Sequence, residues 1–160
     1  MTEPTVPGVV FAVAFVALYA SHEVADHWVQ THHQAMAKGL PGWRGRLACA
    51  RHVASYTATQ VLALVTAGAV TGARAAAPAV VAGVTVSAVT HYWADRKTTL
   101  AALADAVRGL GKKDPFYRLG MPRPGHDDNP SLGTGAYALD QSFHVLFLFV
   151  AALIIAGGAA

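Results

Sequence analysis

Five positions in one stretch constrain this chain more than any others. Between Ala79 and Asp95 the sequence is almost wholly apolar, yet Ala79, Gly83, Ser87, His91 and Asp95 recur every fourth residue. On a helix these positions share one slowly drifting face. The face is small for two turns and then ends in an imidazole and a carboxylate. Small residues at this spacing let helices approach closely inside a bilayer. A His and an Asp there are costly unless other segments bring partners to them.

Three other apolar segments supply such partners. Windows near Val6–Trp28, Ala48–Val70, Ala76–Ala94 and Ala136–Gly157 approach the roughly 20 apolar residues that a spanning helix needs. Hydrophobic residues make up 54% of the 160-residue chain and charged ones 13%, about half the share in ordinary globular domains. Val6–Ala20 and Phe143–Gly158 contain no Asp, Glu, Lys or Arg, which argues against a soluble bundle. The leader Met1–Pro7 carries Glu3 and no basic residue, unlike a secretory signal, so the first window reads as a retained helix. The single cysteine, Cys49, excludes an internal disulfide and reads as a small buried residue.

The expected architecture is all-α, a four-transmembrane-helix bundle forming one domain over 1–160. Helices are expected near 6–30, 47–70, 76–96 and 136–158. A polar connection spans Thr31–Gly45, and a cytoplasmic insert covers about 97–135. Within that insert, Thr98–Gly109 has the spacing of a short amphipathic helix lying at the membrane surface. Of the twelve basic residues, all but Arg74 fall in or beside the first and third connections. The positive-inside rule then puts those connections in the cytoplasm and both termini outside, as for a multi-pass inner-membrane protein. No nucleic-acid-reading motif accompanies the basic patch.

In this topology the polar residues of all four segments meet at one depth, the cytoplasmic one. His22 and Asp26 end the first helix, His52 opens the second, His91 and Asp95 end the third, and Asp140 and His144 open the fourth. Four imidazoles and three carboxylates without thiolate suit a divalent metal, Zn or Mn/Fe. They could serve two ions sharing a carboxylate, or one ion with the remaining side chains orienting its ligands. Neutral histidines would leave three buried carboxylates uncompensated, which also favours a cation. Haem would not need an Asp beside each His. Gln30 and Gln141 flank the cluster as orienting groups. Arg96, Lys97, Arg118 and Arg123 could receive an anionic headgroup, and Asp127 and Asp128 read as a polar turn or part of a lid.

The ordered set H-x3-D-x3-Q (His22, Asp26, Gln30), the His of the second helix, H-x3-D (His91, Asp95) and D-Q-x2-H (Asp140, Gln141, His144) resembles one family. It is the bacterial membrane family called domain of unknown function 3307, and it is similar at greater distance to SOS-regulated inner-membrane metal-dependent hydrolases. The resemblance covers essentially the whole chain and implies four membrane helices and a metal site. The expectation it carries is a hydrolase in which a metal-activated water attacks a lipid or phosphoester at the cytoplasmic interface. An ion- or proton-binding transporter, or a structural protein held by His/Asp hydrogen bonds, are the alternatives.

Overall fold

A computed structural model describes residues 6–107, 116–120 and 133–160. It is all-helical, with no strand among the described residues. Helix α1 (Pro7–Val24) starts on a proline, whose missing N–H costs nothing at a helix start. It runs on into a π-helical turn, Ala25–Val29, closed by the Gln30 amide donating to the Ala25 carbonyl at 2.9 Å. Such widened turns are rare and cluster at functional sites; this one contains Asp26.

The segment read from sequence as a polar connection contains a further helix, α2 (His32–Ala37). A capping box forms it: the Thr31 hydroxyl accepts from the Gln34 amide, and the Gln34 side chain accepts from the Thr31 amide. Helix α3 (Gly42–Thr71) begins six residues earlier than its apolar window, because Pro41 starts the helix and Arg44 and Arg46 continue it out of the apolar zone. It ends at Gly72, in the left-handed conformation that favours glycine. Helix α4 (Ala77–Asp95) gives way to α5 (Thr98–Ala106) through a tight turn at Lys97. There φ is 57° and the Thr98 amide donates to the Arg96 carbonyl at 2.5 Å, a strained three-residue turn. Helix α6 (Gly135–Ala156) is capped by the Thr134 hydroxyl.

The long helices α1, α3, α4 and α6 pack in a closed ring, α1 against α3 and α6, α4 against α3 and α6. One end of the ring is apolar: Val10, Ala14, Leu18, Leu148, Ala151 and Ile155 form its core. The chain's last residues close that end, with the Ala76 amide donating to Gly158 and the Ala160 amide to Arg74. The other end holds the buried His and Asp residues.

Three helical segments are long and apolar enough to cross a membrane: Pro7–Val29, Gly42–Thr71 and Gly135–Ala156. Helix α4 falls short of that standard, since Thr85, Ser87, Thr90, His91 and Asp95 dilute its apolar character. Only 11% of the apolar window of α3 is buried within the protein, and Leu62, Val65, Val81, Leu146 and Leu153 face outward around the ring. Outward apolar surface on this scale is what lipid covers.

The small face of α4 is used for close approach. A Cβ on Gly83 would lie 2.7 Å from the Ala151 carbonyl oxygen and 2.7 Å from an Ile155 methylene. Ser87, one turn on, bonds to Tyr56 of α3. In lipid, which gives little hydrophobic drive for helix pairing, such a contact would rest on fit. Gly83→Ala should therefore destabilise the protein by about 1–3 kcal/mol, whereas Gly8→Ala, with open space at its Cβ, should be neutral. Thermal unfolding in mild detergent compares the two.

Candidate metal centre

Each long helix delivers part of the centre. The π turn of α1 carries Asp26; α3 carries His52 a third of the way along; α4 ends with His91 and Asp95; α6 opens with Asp140 and His144. His22, His52, His91, Asp95 and His144 are buried, while the Asp140 side chain is 28% exposed.

Four atoms converge most tightly. His52 Nε2 lies 2.9 Å from His91 Nε2, 3.3 Å from Asp26 Oδ1 and 3.2 Å from Asp95 Oδ2. His91 Nε2 lies 3.4 Å and 3.3 Å from the same two oxygens. Each of the two oxygens is thus about as far from one imidazole nitrogen as from the other, and His52, His91 and Asp95 offer three ligand atoms within reach of one ion. Asp26 Oδ1 and Asp95 Oδ2 are buried and accept no hydrogen bond. Buried acceptors aimed at one point without a donor are costly unless a cation joins them. The buried His/Asp groups thus have the geometry to hold a metal ion.

The remaining residues surround these four atoms. His22 Nε2 donates to Gln141 Oε1 at 3.2 Å, which leaves its Nδ1 lone pair 3.8 Å from Asp26 Oδ2. His144 Nδ1 donates to the Asp140 carbonyl at 2.7 Å, leaving a buried Nε2 lone pair without a partner. Two further three-residue groups result, His22–Asp26–His91 and Asp95–Asp140–His144. Hydrogen bonds through the second ring nitrogen often orient metal-binding histidines. His52 and His91 lack them; His91 is held instead by Tyr56, stacked at 3.8 Å between ring centroids.

Tyr56 also leads a polar column away from the centre. Its hydroxyl meets Ser87 Oγ at 3.1 Å and accepts from Gln60 Nε2 at 2.8 Å. All three residues are buried. Beyond Gln60 the interior is the apolar core, so the column stops inside the ring.

A cavity of about 480 Å³ adjoins the other side of the centre. Asp26, Asp95 and Asp140 form part of its wall, with Gln30, Lys38 and Tyr137. Gln30 Nε2 is buried there without a partner, and Lys97 also reaches the wall. The phenol of Tyr117, on the same wall, is pushed above its ordinary pKa by burial and then by the Asp140 carboxylate.

The structure therefore brings together all seven residues expected as ligands, and Gln141 touches two of them through His22 and Asp140. Arg96 is used differently from the anion-receiving role expected of it. Its guanidinium donates to the carbonyls of Lys38 and Leu40 at 2.5 and 2.6 Å, clasping the α2–α3 turn. Arg118 pairs with Asp105 at 4.0 Å on the surface. Arg123, Asp127 and Asp128 lie outside the described residues. His32 and His33 are exposed on α2.

Sequence reasoning missed Lys38, whose ammonium sits 2.8 Å from Asp95 Oδ1 with its side chain 11% exposed. It was legible only as one basic residue in a basic connection. The signal for it was the charge imbalance: three inward carboxylates call for a cation nearby.

No family model, curated protein or solved structure matches this chain.

The polar column gives a direct test of packing around the centre. Tyr56→Phe removes the acceptor of buried Gln60 and should cost about 1–2 kcal/mol. Adding Gln60→Leu, which removes the stranded donor, should recover part of that loss in thermal unfolding. A double variant no more stable than Tyr56→Phe would contradict this assignment.

Proposed function

We propose that the chain is a four-pass membrane protein of the family named above, with its His/Asp centre holding a divalent metal. On this reading it is a metal-dependent hydrolase acting at the cytoplasmic membrane interface on a lipid or phosphoester substrate. The observation that carries the proposal is the convergence of His52, His91, Asp26 and Asp95 on the wall of a cavity large enough for a substrate headgroup. Nitrogen and oxygen donors without thiolate suit zinc, with manganese or iron as the other fitting ions.

Such an ion supplies a water acidified to near-neutral pKa and a positive field for a polarised oxygen. The chain's own residues supply the rest. Asp140, partly exposed on the cavity wall, is placed to take a proton from an attacking water. Gln30 Nε2, an unpaired donor in that wall, is placed to orient a substrate oxygen. Lys38 and Lys97 give one side of the cavity a positive edge for an anionic group. Leu100, Ala35 and Ala136 give an apolar side that suits acyl chain.

Sidedness follows from charge. Among the described residues, Lys38, Arg44, Arg46, Arg51, Arg96 and Lys97 flank the end of the ring that holds the centre, and Arg74 sits at the other. The positive-inside rule makes the site end cytoplasmic.

One observation favours a second reading. Imidazoles and carboxylates of three helices meet at one place, and four protein ligands on one ion would be the pattern of structural rather than catalytic zinc. The centre would then staple four helices together, with no reaction. A transport role draws less support, because the polar column ends at Gln60 against the apolar core.

Protein purified in mild detergent without a metal-binding tag should carry about one equivalent of metal, most of it lost in His91→Ala. Retention should fall as pH drops, since ligand imidazoles and carboxylates bind protons in competition with the ion. The loaded protein should hydrolyse nitrophenyl phosphoesters or phosphatidic acid in mixed micelles, and Asp140→Asn should keep the metal but lose turnover about 100-fold or more. A loaded protein inert on every substrate, but unfolded by chelator, would replace the hydrolase with the structural staple.

A further inference from the structure

Asp95 is shared between two groups of ligands. Its Oδ2 belongs to one group with His52 and His91. The same carboxylate also belongs to a second group with Asp140 and His144. That group has an independent sign of ligand character: His144 is 3% exposed, and its Nε2 lone pair is buried with no partner. A second ion there would need the other oxygen of Asp95, bridging as carboxylates do in two-ion centres. That oxygen, Oδ1, is held by the Lys38 ammonium at 2.8 Å.

We propose that Asp95, Asp140 and His144 form a second divalent-cation site that Lys38 keeps closed, so that the centre takes one ion rather than two. The proposal rests on the metal reading above and adds the stoichiometry and the residue that sets it.

Charge supports it. Asp26, Asp95 and Asp140 bring three negative charges, and with neutral histidines Lys38 offsets one. A single divalent ion then makes the centre neutral, whereas two would leave it at about +2 in a low-dielectric interior. The ammonium is compact and strongly hydrated, and it reaches the water-accessible cavity while its stem is covered. It thus acts as a fixed monovalent stand-in where a second metal would sit, and the helix that carries it is fixed in turn. The Arg96 guanidinium clasps the Lys38 and Leu40 carbonyls, which ties the end of α2 to the end of α4, next to Asp95.

Replacing the ammonium by a carboxylate reverses the count. With Lys38→Glu the four carboxylates balance two divalent ions, and the new side chain adds a ligand at the right oxygen. Zinc alone is the probe: protein is titrated with Zn²⁺, passed over a desalting column and measured by plasma mass spectrometry beside protein concentration. Wild type should retain about one equivalent and Lys38→Glu about two, with Lys38→Glu/His144→Ala returning to about one. Lys38→Gln, which removes the charge without adding a ligand, should take its second equivalent about tenfold or more weakly than the first. It provides the test if Lys38→Glu does not fold. Two equivalents in wild type, or one in both single variants, would overturn the proposal while leaving the metal reading intact. A metal-free wild type that binds no added zinc would instead remove the metal reading itself.

Discussion

Two imidazole nitrogens 2.9 Å apart, each within 3.4 Å of the same two carboxylate oxygens, are the constraint around which this protein is arranged. Two carboxylates and two imidazoles do not gather in an apolar interior without compensation. The oxygens lack hydrogen-bond donors, and the nearest fixed positive group, Lys38, reaches Asp95 from the opposite oxygen. A divalent ion bound among them would offset the desolvation cost that makes buried charges rare, and the outward surface of the ring is given to Val, Leu and Phe.

This requirement explains the shape of the fold. The donors come from three different helices, and the surrounding His22, Asp140 and His144 add a fourth. The ring must therefore close at that end, and successive long helices must run in opposite directions to bring their polar ends together. The opposite end is free to be apolar, and close contact there is achieved by small residues: Gly83 against the Ala151 carbonyl, and the final turn at Gly158 against Ala76. Between the two ends, Tyr56, Ser87 and Gln60 form a buried hydrogen-bonded layer that orients His91 and then stops. A cavity adjoins the polar end, beside the buried His and Asp residues.

Much of this was legible in the sequence because helical spacing is a strong signal. His22 with Asp26, His91 with Asp95 and Asp140 with His144 stand four apart, and alternating direction puts them at one depth. The small face of α4 was readable for the same reason. What spacing does not encode is which atoms of seven ligands meet. That depends on χ angles and on the π turn at Asp26, which shifts that carboxylate relative to a regular helix. Helix α2 escaped notice because its six residues bury only Ala37 and carry no apolar period, although Thr31 and Gln34 hold the capping pattern. Lys38 and Arg96 were misjudged for a common reason. Lys38 was counted as one basic residue of a connection and Arg96 as an anion-receiving group, yet one is drawn in by a carboxylate of another helix and the other by two backbone carbonyls, contacts made only once the chain has folded. The apolar weakness of α4 has the opposite origin: a helix that supplies ligands and small contacts to three neighbours cannot also be uniformly hydrophobic.

The central claim is that His52, His91, Asp26 and Asp95 are the ligands of one ion. X-ray absorption at the zinc edge of the loaded protein in detergent tests it most directly. The account predicts four nitrogen or oxygen neighbours at about 2.0 Å, with the outer-shell scattering of two imidazoles, and one imidazole fewer in His52→Ala. A six-coordinate oxygen shell without imidazole scattering, or a spectrum unchanged by His52→Ala, would contradict it.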